Sequence, residues 1–420
     1  MTEWRETTLG DVIEVSHGFA FKGEFFSEGG DARLVTPGNF FEAGGFRDRG
    51  DQQKTYDGPI PGLHVLEPGE IVVAMTEQAS GLLGSSGLVP STGRWLHNQR
   101  IGRVHIRDRS TSKRFIYYLF NSPGVRAQIA ATATGAKVRH TAAERILAVK
   151  TLLPGPRAQA RIAAVLAAFD ELIAINERRI ELLEDLARSL YREWFVRFRF
   201  PSADRVPANG AVLEGWTRVT LGTVTLQLSR GIAPRYAYDG EWTVINQRCI
   251  RNGRVSLAPA RNQSRPVADA KRLRRTDILV NSTGVGTLGR VAILFGDGAR
   301  VTADSHVTII RAQEQVMQVW LGVSLLERQD ELAGMGAGST GQTELGRDRL
   351  GALPVVLPSR PVLQQFSEAV GPLLETAHSL GTYNERLTAT RDLLLPRLVT
   401  GRLDISDVDL GDLLPAETAA

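Results

Sequence analysis

The chain has 420 residues, 42% of them apolar and 23% charged, with a formal net charge of +4. Cys249 is the only cysteine, which excludes an internal disulfide and the common cysteine-rich zinc sites and points to a reducing cytoplasm. The opening residues are charged throughout and no apolar run is long enough to span a bilayer, so neither a secretory signal nor a membrane segment is expected.

Residues 1–155 mix short strands with helices. Strands are expected near Asp11–Ser16, Ile71–Met75, Ile101–Ile106 and Val149–Leu153, with helix over Phe115–Ala131. Ser122-Pro123 is a cap followed by a first-turn proline, and Thr141 to Glu144 fits a capping box that opens a short helix. The loop-rich stretch Gly38–Gly62 carries Arg47, Arg49 and Lys54.

Arg157 to Phe198 reads as one helix with no proline or glycine inside it. Apolar residues recur at gaps of three and four through Ile162, Leu166, Phe169, Ile173, Ile180, Leu183, Ala187, Leu190 and Trp194, with Asn176 the one interruption. A second row, Val165, Leu172 and Leu186, widens that seam. At 1.5 Å per residue such a helix spans roughly 60 Å, too long for the core of one compact domain, so it is expected to be a spacer or an assembly surface.

Residues 201–360 repeat the first region. Trp4 with Thr8-Leu9-Gly10 and Val12 recurs as Trp216 with Thr220-Leu221-Gly222 and Val224. Glu70–Val73 recurs as Asp277–Val280, Ile101–Ile106 as Val307–Ile310, and Phe115–Ala131 as Val319–Leu332. Thr134-Gly135 matches Thr340-Gly341, and Leu153-Pro154 matches Leu357-Pro358. Landmarks in one order at a nearly constant offset imply two domains of one fold. This copy holds the basic surplus, 20 basic against 14 acidic residues, and 19 of the 20 are arginine. Arg248, Arg251, Arg254, Arg261 and Arg265 fall in Asn246–Pro266, where the copies differ most. Arginine suits phosphate and guanine. Gly284-Val-Gly286-Thr-Leu-Gly289 spells a dinucleotide fingerprint, but Arg290–Leu294 after it reads as a strand. With no helix N-terminus to meet a pyrophosphate, it is expected to be a hairpin turn.

A second helix follows over Val362–Leu395, with Gly371-Pro372 expected to kink or delay it. Two such helices can bury their seams only on each other or on partners; in a two-fold arrangement of the copies they would run antiparallel. Asn176 and Asn384 then either face one another or each leave a solvated gap. From Asp404 onward the chain is acidic, with Asp407, Asp409, Asp412 and Glu417. The histidines are scattered and no phosphate loop or amino-methyltransferase motif occurs, so no catalytic or metal site is expected.

Gln159-Ala-Arg161-Ile162-Ala-Ala-Val165-Leu166 with Asp170, and Leu183–Leu190 followed by Trp194-Phe195-Val196, resemble the central conserved region of type I restriction-modification specificity subunits. Arg391-Asp392-Leu393-Leu394-Leu395-Pro396-Arg397-Leu398 with Gly401 and Leu403 resembles that family's distal conserved region. The resemblance implies an α+β, pseudo-two-fold chain in which two similar α/β target recognition domains are separated by two long helices forming an antiparallel coiled coil. Residues 1–155 and 201–360 would be the two domains, 156–200 the central helix, and 361–420 the distal helix with an acidic tail.

It further implies double-stranded DNA as ligand, two methyltransferase (M) subunits as partners, and restriction (R) subunits as further ones. S-adenosylmethionine, and ATP with Mg, would sit on those partners and none on this chain, which would itself be non-catalytic. The DNA-contacting candidates are Arg47, Arg49, Lys54, Arg248, Arg251, Arg254, Arg261 and Arg265. Trp194, Phe195, Phe198, Leu394 and Leu398 are either anchors for M subunits or internal packing. The alternative is a stand-alone DNA-binding or architectural protein that self-associates through the coiled coil.

Overall fold

The computed structural model describes residues 4–78, 81–201, 213, 215–296, 298–337 and 343–413. It divides into two compact units, residues 1–173 with 385–420, and residues 174–384. Both long helices are therefore shared between the units.

The first unit is built on an antiparallel sheet in the order Ile13–His17, Ile101–Ile106, Ile71–Ala74, Ser86–Leu88. The register sets Val104 opposite both Val15 and Ile71. Ile71–Ala74 is buried throughout, so its unbroken apolar run reflects a strand covered on both faces. A smaller sheet contains Phe26–Ser27, Thr55–Tyr56, Ala32–Leu34, Arg94–Leu96 and Val65–Leu66, with Ala32–Leu34 parallel to Arg94–Leu96. Trp4–Thr8 pairs with Lys150–Pro154, which brings the chain to the start of the first long helix, Pro156–Tyr191. Helix Lys113–Phe120 is capped by Ser112, whose Oγ accepts from Phe115 N, and it buries Phe115, Ile116, Leu119 and Phe120. These side chains share one core with Ile162 and Leu166 of the first long helix and Leu395 and Leu398 of the second.

The second unit repeats this order. Its main sheet runs Thr225–Arg230, Val307–Ala312, Ile278–Asn281, Val291–Ile293. Its small sheet runs Arg261–Gln263, Trp242–Ile245, Val301–Ala303, again with the last pair parallel. Thr217–Thr220 pairs with Pro354–Leu357 as the closing ribbon. Gly18 and Gly231 occupy matching crossings: a Cβ at either would strike backbone carbonyl of the facing segment, at Asn98 and Ala303 respectively. Only glycine lets the chains approach so closely. Ser16-His-Gly-Phe-Ala20 and Ser229-Arg-Gly-Ile-Ala233 are thus a further repeat.

Several expectations need correction. The first long helix stops as α-helix at Tyr191, and Arg192–Val196 form a π-helical turn that ends with Phe198 at φ 57°. Packing of the aromatic side chains on the second unit's core decides that ending. The second long helix runs unbroken over Arg360–Leu398, through Gly371-Pro372. Burial of Phe366, Val370, Leu374 and Ala377 outweighs the one backbone bond that a proline forfeits. The short helix Ala143–Leu147 starts one residue late for the expected capping box: Ala142 is its N-cap, and Thr141 N donates instead to Met75 O. Ser122 does stand at an N-cap before Pro123, but its hydroxyl donates back to Leu119 O. Leu172 and Leu186 of the second row are exposed rather than packed. Gly284–Gly289 does form the turn of an antiparallel hairpin, with Ile278 opposite Ile293. Thr340-Gly341 and Glu417 lie outside the described residues.

Candidate nucleic-acid interface

In the first unit the loop that carries the cations is held from below by two buried amides. Asn39 Nδ2 donates to Gln53 Oε1 at 2.6 Å, and Gln53 Nε2 donates to Leu34 O at 2.6 Å. Asn39 Nδ2 also reaches Arg47 O at 3.0 Å. Above this base Arg47 is exposed, its guanidinium 5.9 Å from the Phe41 ring centroid. Lys54 is exposed with Nζ 5.5 Å from the Phe26 ring centroid, and Arg49 is half-buried beside Gly38.

In the second unit Asn246 plays the anchoring part. Its Oδ1 accepts from Arg248 N at 2.9 Å and its Nδ2 donates to Pro259 O at 2.8 Å. Arg248 and Arg251 project into solvent beside a turn made by Asn252 at φ 52° and Gly253 at φ 76°. Arg261 lies 3.7 Å from the Tyr236 ring centroid, and Arg265 is exposed. Arg254 differs from these. Its Nε and Nη2 donate to the two carboxylate oxygens of Glu184 at 2.6 and 2.9 Å, and Glu177 stands 3.5 Å from Nη1. It ties the hairpin to the first long helix, and with its charge committed to two carboxylates it is a strut rather than a free cation.

No ion pair among the described residues involves Arg47, Arg49, Lys54, Arg248, Arg251, Arg261 or Arg265. Their charge is available to an anionic ligand such as a phosphate backbone. A second polar cluster escaped sequence reasoning. Gln247 Nε2 donates to Thr283 Oγ1, which lies 2.8 Å from His306 Nδ1, and Arg230 pairs with Glu344 at 2.6 Å. These residues join turns from distant strands; the repeated Ser-x-Gly-x-Ala was its one sequence signal. In the first unit His97 is buried with Nε2 donating to Ile101 O at 2.8 Å. Burial, the leading cause, pushes its pKa down to about 4, so the ring is neutral.

The aromatic and leucine candidates for partner contact lie inside the units. Trp194 packs on Phe366, Phe195 on Phe366 and Trp216, and Phe198 on Trp216. Leu398 is only 1% exposed, with Leu394 packed against the same core. Besides Leu172, three apolar side chains of the first long helix are exposed: Ile175, Leu182 and Leu186, at 57, 52 and 48% exposure. Their spacing of seven and four puts them on one face. Leu186 belongs to the second apolar row of the sequence, while Ile175 and Leu182 lie outside both rows.

The helices meet within each unit. Arg391 Nη1 donates to Asp170 Oδ1 at 2.6 Å, and Tyr118 OH donates to Asp170 Oδ2 at 2.6 Å. In the second unit Asn176 bonds Asn384, while Tyr191 and Trp194 pack on Phe366. Gln159, from the motif read in the sequence, binds Ser112 N and Pro154 O, and Arg161 holds the carbonyls of Ile405 and Val408. That motif is structural: it ties the helix start to the head and to the C-terminal segment.

Comparison with known proteins gives a consistent result. Residues 1–185 match the family model described as type I restriction modification DNA specificity domain. The chain is 22% identical over 328 residues to the type I restriction enzyme MjaIX specificity subunit of Methanocaldococcus jannaschii, covering 74% of this chain and 73% of the relative. It is 24% identical over 356 residues to the EcoBI specificity subunit of Escherichia coli, covering 76% and 70%. The crystal structure of the type I restriction-modification S subunit from M. genitalium superposes with a TM-score of 0.62 at 14% identity, covering 95% of this chain and 96% of that one. That likeness is one of fold.

Proposed function

The chain is a DNA specificity subunit of the type I restriction-modification family, and from that premise we propose how it recognises DNA. It is a recognition subunit of a complex whose other members are methyltransferase and restriction subunits, and it works in the cytoplasm. Residues 1–155 and 201–360 are two target recognition domains, each reading one half of a split DNA sequence. Residues 156–200 and 361–420 supply two helices that pair as an antiparallel coiled coil in a pseudo-two-fold chain. Their length fixes the number of unread base pairs between the half-sites.

One observation carries this reading: the main sheets of both heads repeat the same strand order, yet the heads present different unpaired cations, Arg47, Arg49 and Lys54 against Arg248, Arg251, Arg261 and Arg265. Like frames with unlike loops suit two readers of two sequences. Phosphate contacts supply salt-dependent affinity that is blind to sequence. Arginine forks on base edges add discrimination, about 1–3 kcal/mol for each good bidentate pair. Arg248 and Arg251 are the proposed base readers of the second head. Two methyltransferase subunits dock on the helices, the face formed by Ile175, Leu182 and Leu186 being the surface offered. S-adenosylmethionine, and ATP with Mg, belong to those partners.

The test is to co-express the chain with its methyltransferase and map the methylated sequence after Arg248→Ala with Arg251→Ala. One half of the target should relax and the other should stay. Equal change in both halves, or in neither, refutes the assignment.

A further inference from the structure

Two cation–aromatic pairs sit at equivalent places in the two heads. Phe26 pairs with Tyr56 across antiparallel strands, and Lys54 precedes Tyr56 by two residues. Tyr236 bridges Gln263 in the same antiparallel sense, and Arg261 precedes Gln263 by two. Arg261 opens its strand and Lys54 stands one residue ahead of its own; each is two residues from the partner of the ring, the spacing that returns a side chain to the same face, so each cation is the diagonal neighbour of its ring at the small sheet. The side chains follow the backbone: Lys54 Nζ lies 5.5 Å from the Phe26 centroid, and the Arg261 guanidinium 3.7 Å from that of Tyr236. Lys54 and Arg261 are exposed, Phe26 is 41% exposed, and Tyr238 beside the second pair stands fully in solvent. No ion pair among the described residues engages either cation.

We propose that Lys54 on Phe26 and Arg261 on Tyr236 are matched phosphate clamps, one in each head, that hold duplex DNA without reading its sequence. This rests on the reading of the chain as a DNA specificity subunit, and it divides labour within that reading. The surrounding loops differ, yet both heads keep a positive charge braced by a ring at this one register. What the two pairs share is charge and a flat apolar support. They do not share a hydrogen-bonding fork, because an ammonium and a guanidinium differ in shape and donors. A base reader needs a fixed donor pattern, whereas a phosphate needs only a cation held in place. The ring holds a long side chain that would otherwise lose rotamer freedom on binding. Phe26 and Tyr236 are therefore positioning residues, and Lys54 and Arg261 make the contact.

The experiment measures binding of the full chain to two fluorescent duplexes of unrelated sequence across a KCl series. Lys54→Ala and Arg261→Ala should each reduce the slope of log K against log salt by about 0.9, the loss of one phosphate contact, equally on both duplexes. The double variant should lose about twice that. Lys54→Arg and Arg261→Lys should keep the slope. Phe26→Leu and Tyr236→Leu should keep it too while weakening binding. Arg178→Ala, whose guanidinium is paired with Glu181 at 3.0 Å, is the control for loss of a charge already committed to a carboxylate. In the assembled methyltransferase the modified sequence should not change in any of these variants. Slopes equal to wild type, or a changed methylated sequence, overturn the clamp and leave the specificity-subunit reading standing. A chain that binds neither duplex overturns both.

Discussion

Asn176 Nδ2 donates to Asn384 Oδ1 at 2.9 Å between residues that are 1 and 5% exposed. The bond joins the two long helices at a buried point of their contact, where a lone amide costs more than it contributes. Asn176→Leu removes the donor and leaves the facing carbonyl oxygen without it, at a cost of roughly 1–3 kcal/mol. Asn176→Leu with Asn384→Leu replaces both polar groups and should recover most of that loss. Urea unfolding of the two single variants and the double variant measures the coupling. A double variant whose loss equals the sum of the singles refutes the pairing.

The facing asparagines were one of two readings open from sequence, because both fall on the apolar stripe at comparable depth in the repeat. The two-copy plan was legible for the same reason: Trp4 and Trp216, or Ile71 and Ile278, mark strands whose spacing the fold must keep. The heptad stripe could not rank its own edges. Trp194, Phe195 and Phe198 looked like exposed anchors because nothing local says that Phe366 and Trp216 cover them. The basic loops were legible as a set, but not which member turns inward. Arg254 meets Glu184 only because a hairpin seventy residues away folds back on the helix.

Arg254 should therefore behave as a structural residue. Arg254→Ala leaves Glu184, a half-buried carboxylate, without its bidentate partner. The expected cost is about 1–2 kcal/mol after discounting for solvent screening, seen as a lower urea midpoint at unchanged m-value. The methylated sequence should stay the same, in contrast to the Arg248 and Arg251 variants. A relaxed half-site with unaltered stability refutes the strut.

His97 makes the first unit sensitive to acid. Its folded pKa, about 4, lies below the ordinary 6.5, so the unfolded chain takes up the proton first as pH falls. Stability contributed by the neutral ring is complete above about pH 6.5 and is lost progressively toward pH 4, by roughly 3 kcal/mol in all. Comparing urea midpoints at about pH 7 and about pH 5 for wild type and His97→Gln isolates this part of the slope. His97→Gln should be less stable at neutral pH and less dependent on pH. Parallel profiles for the two proteins refute it.

Ile175, Leu182 and Leu186 pose the opposite question from the buried aromatics. They expose about half their surface on one face of a helix whose own seam is already filled by Ile180 and Ala187. Polar substitution there removes no contact from the core, so Ile175→Gln, Leu182→Gln and Leu186→Gln together should change the stability of the isolated chain by no more than about 0.5 kcal/mol. If this face is where the methyltransferase subunits bind, the same triple variant removes the apolar centre of the interface. Truncation at such a centre typically costs about 2 kcal/mol or more for each main anchor. Co-purification of a tagged chain with the methyltransferase should then fail, while the chain keeps its circular dichroism and its salt-dependent affinity for DNA. Retained co-purification moves the docking surface off this face, and a loss of helicity moves these three residues into the fold's own packing.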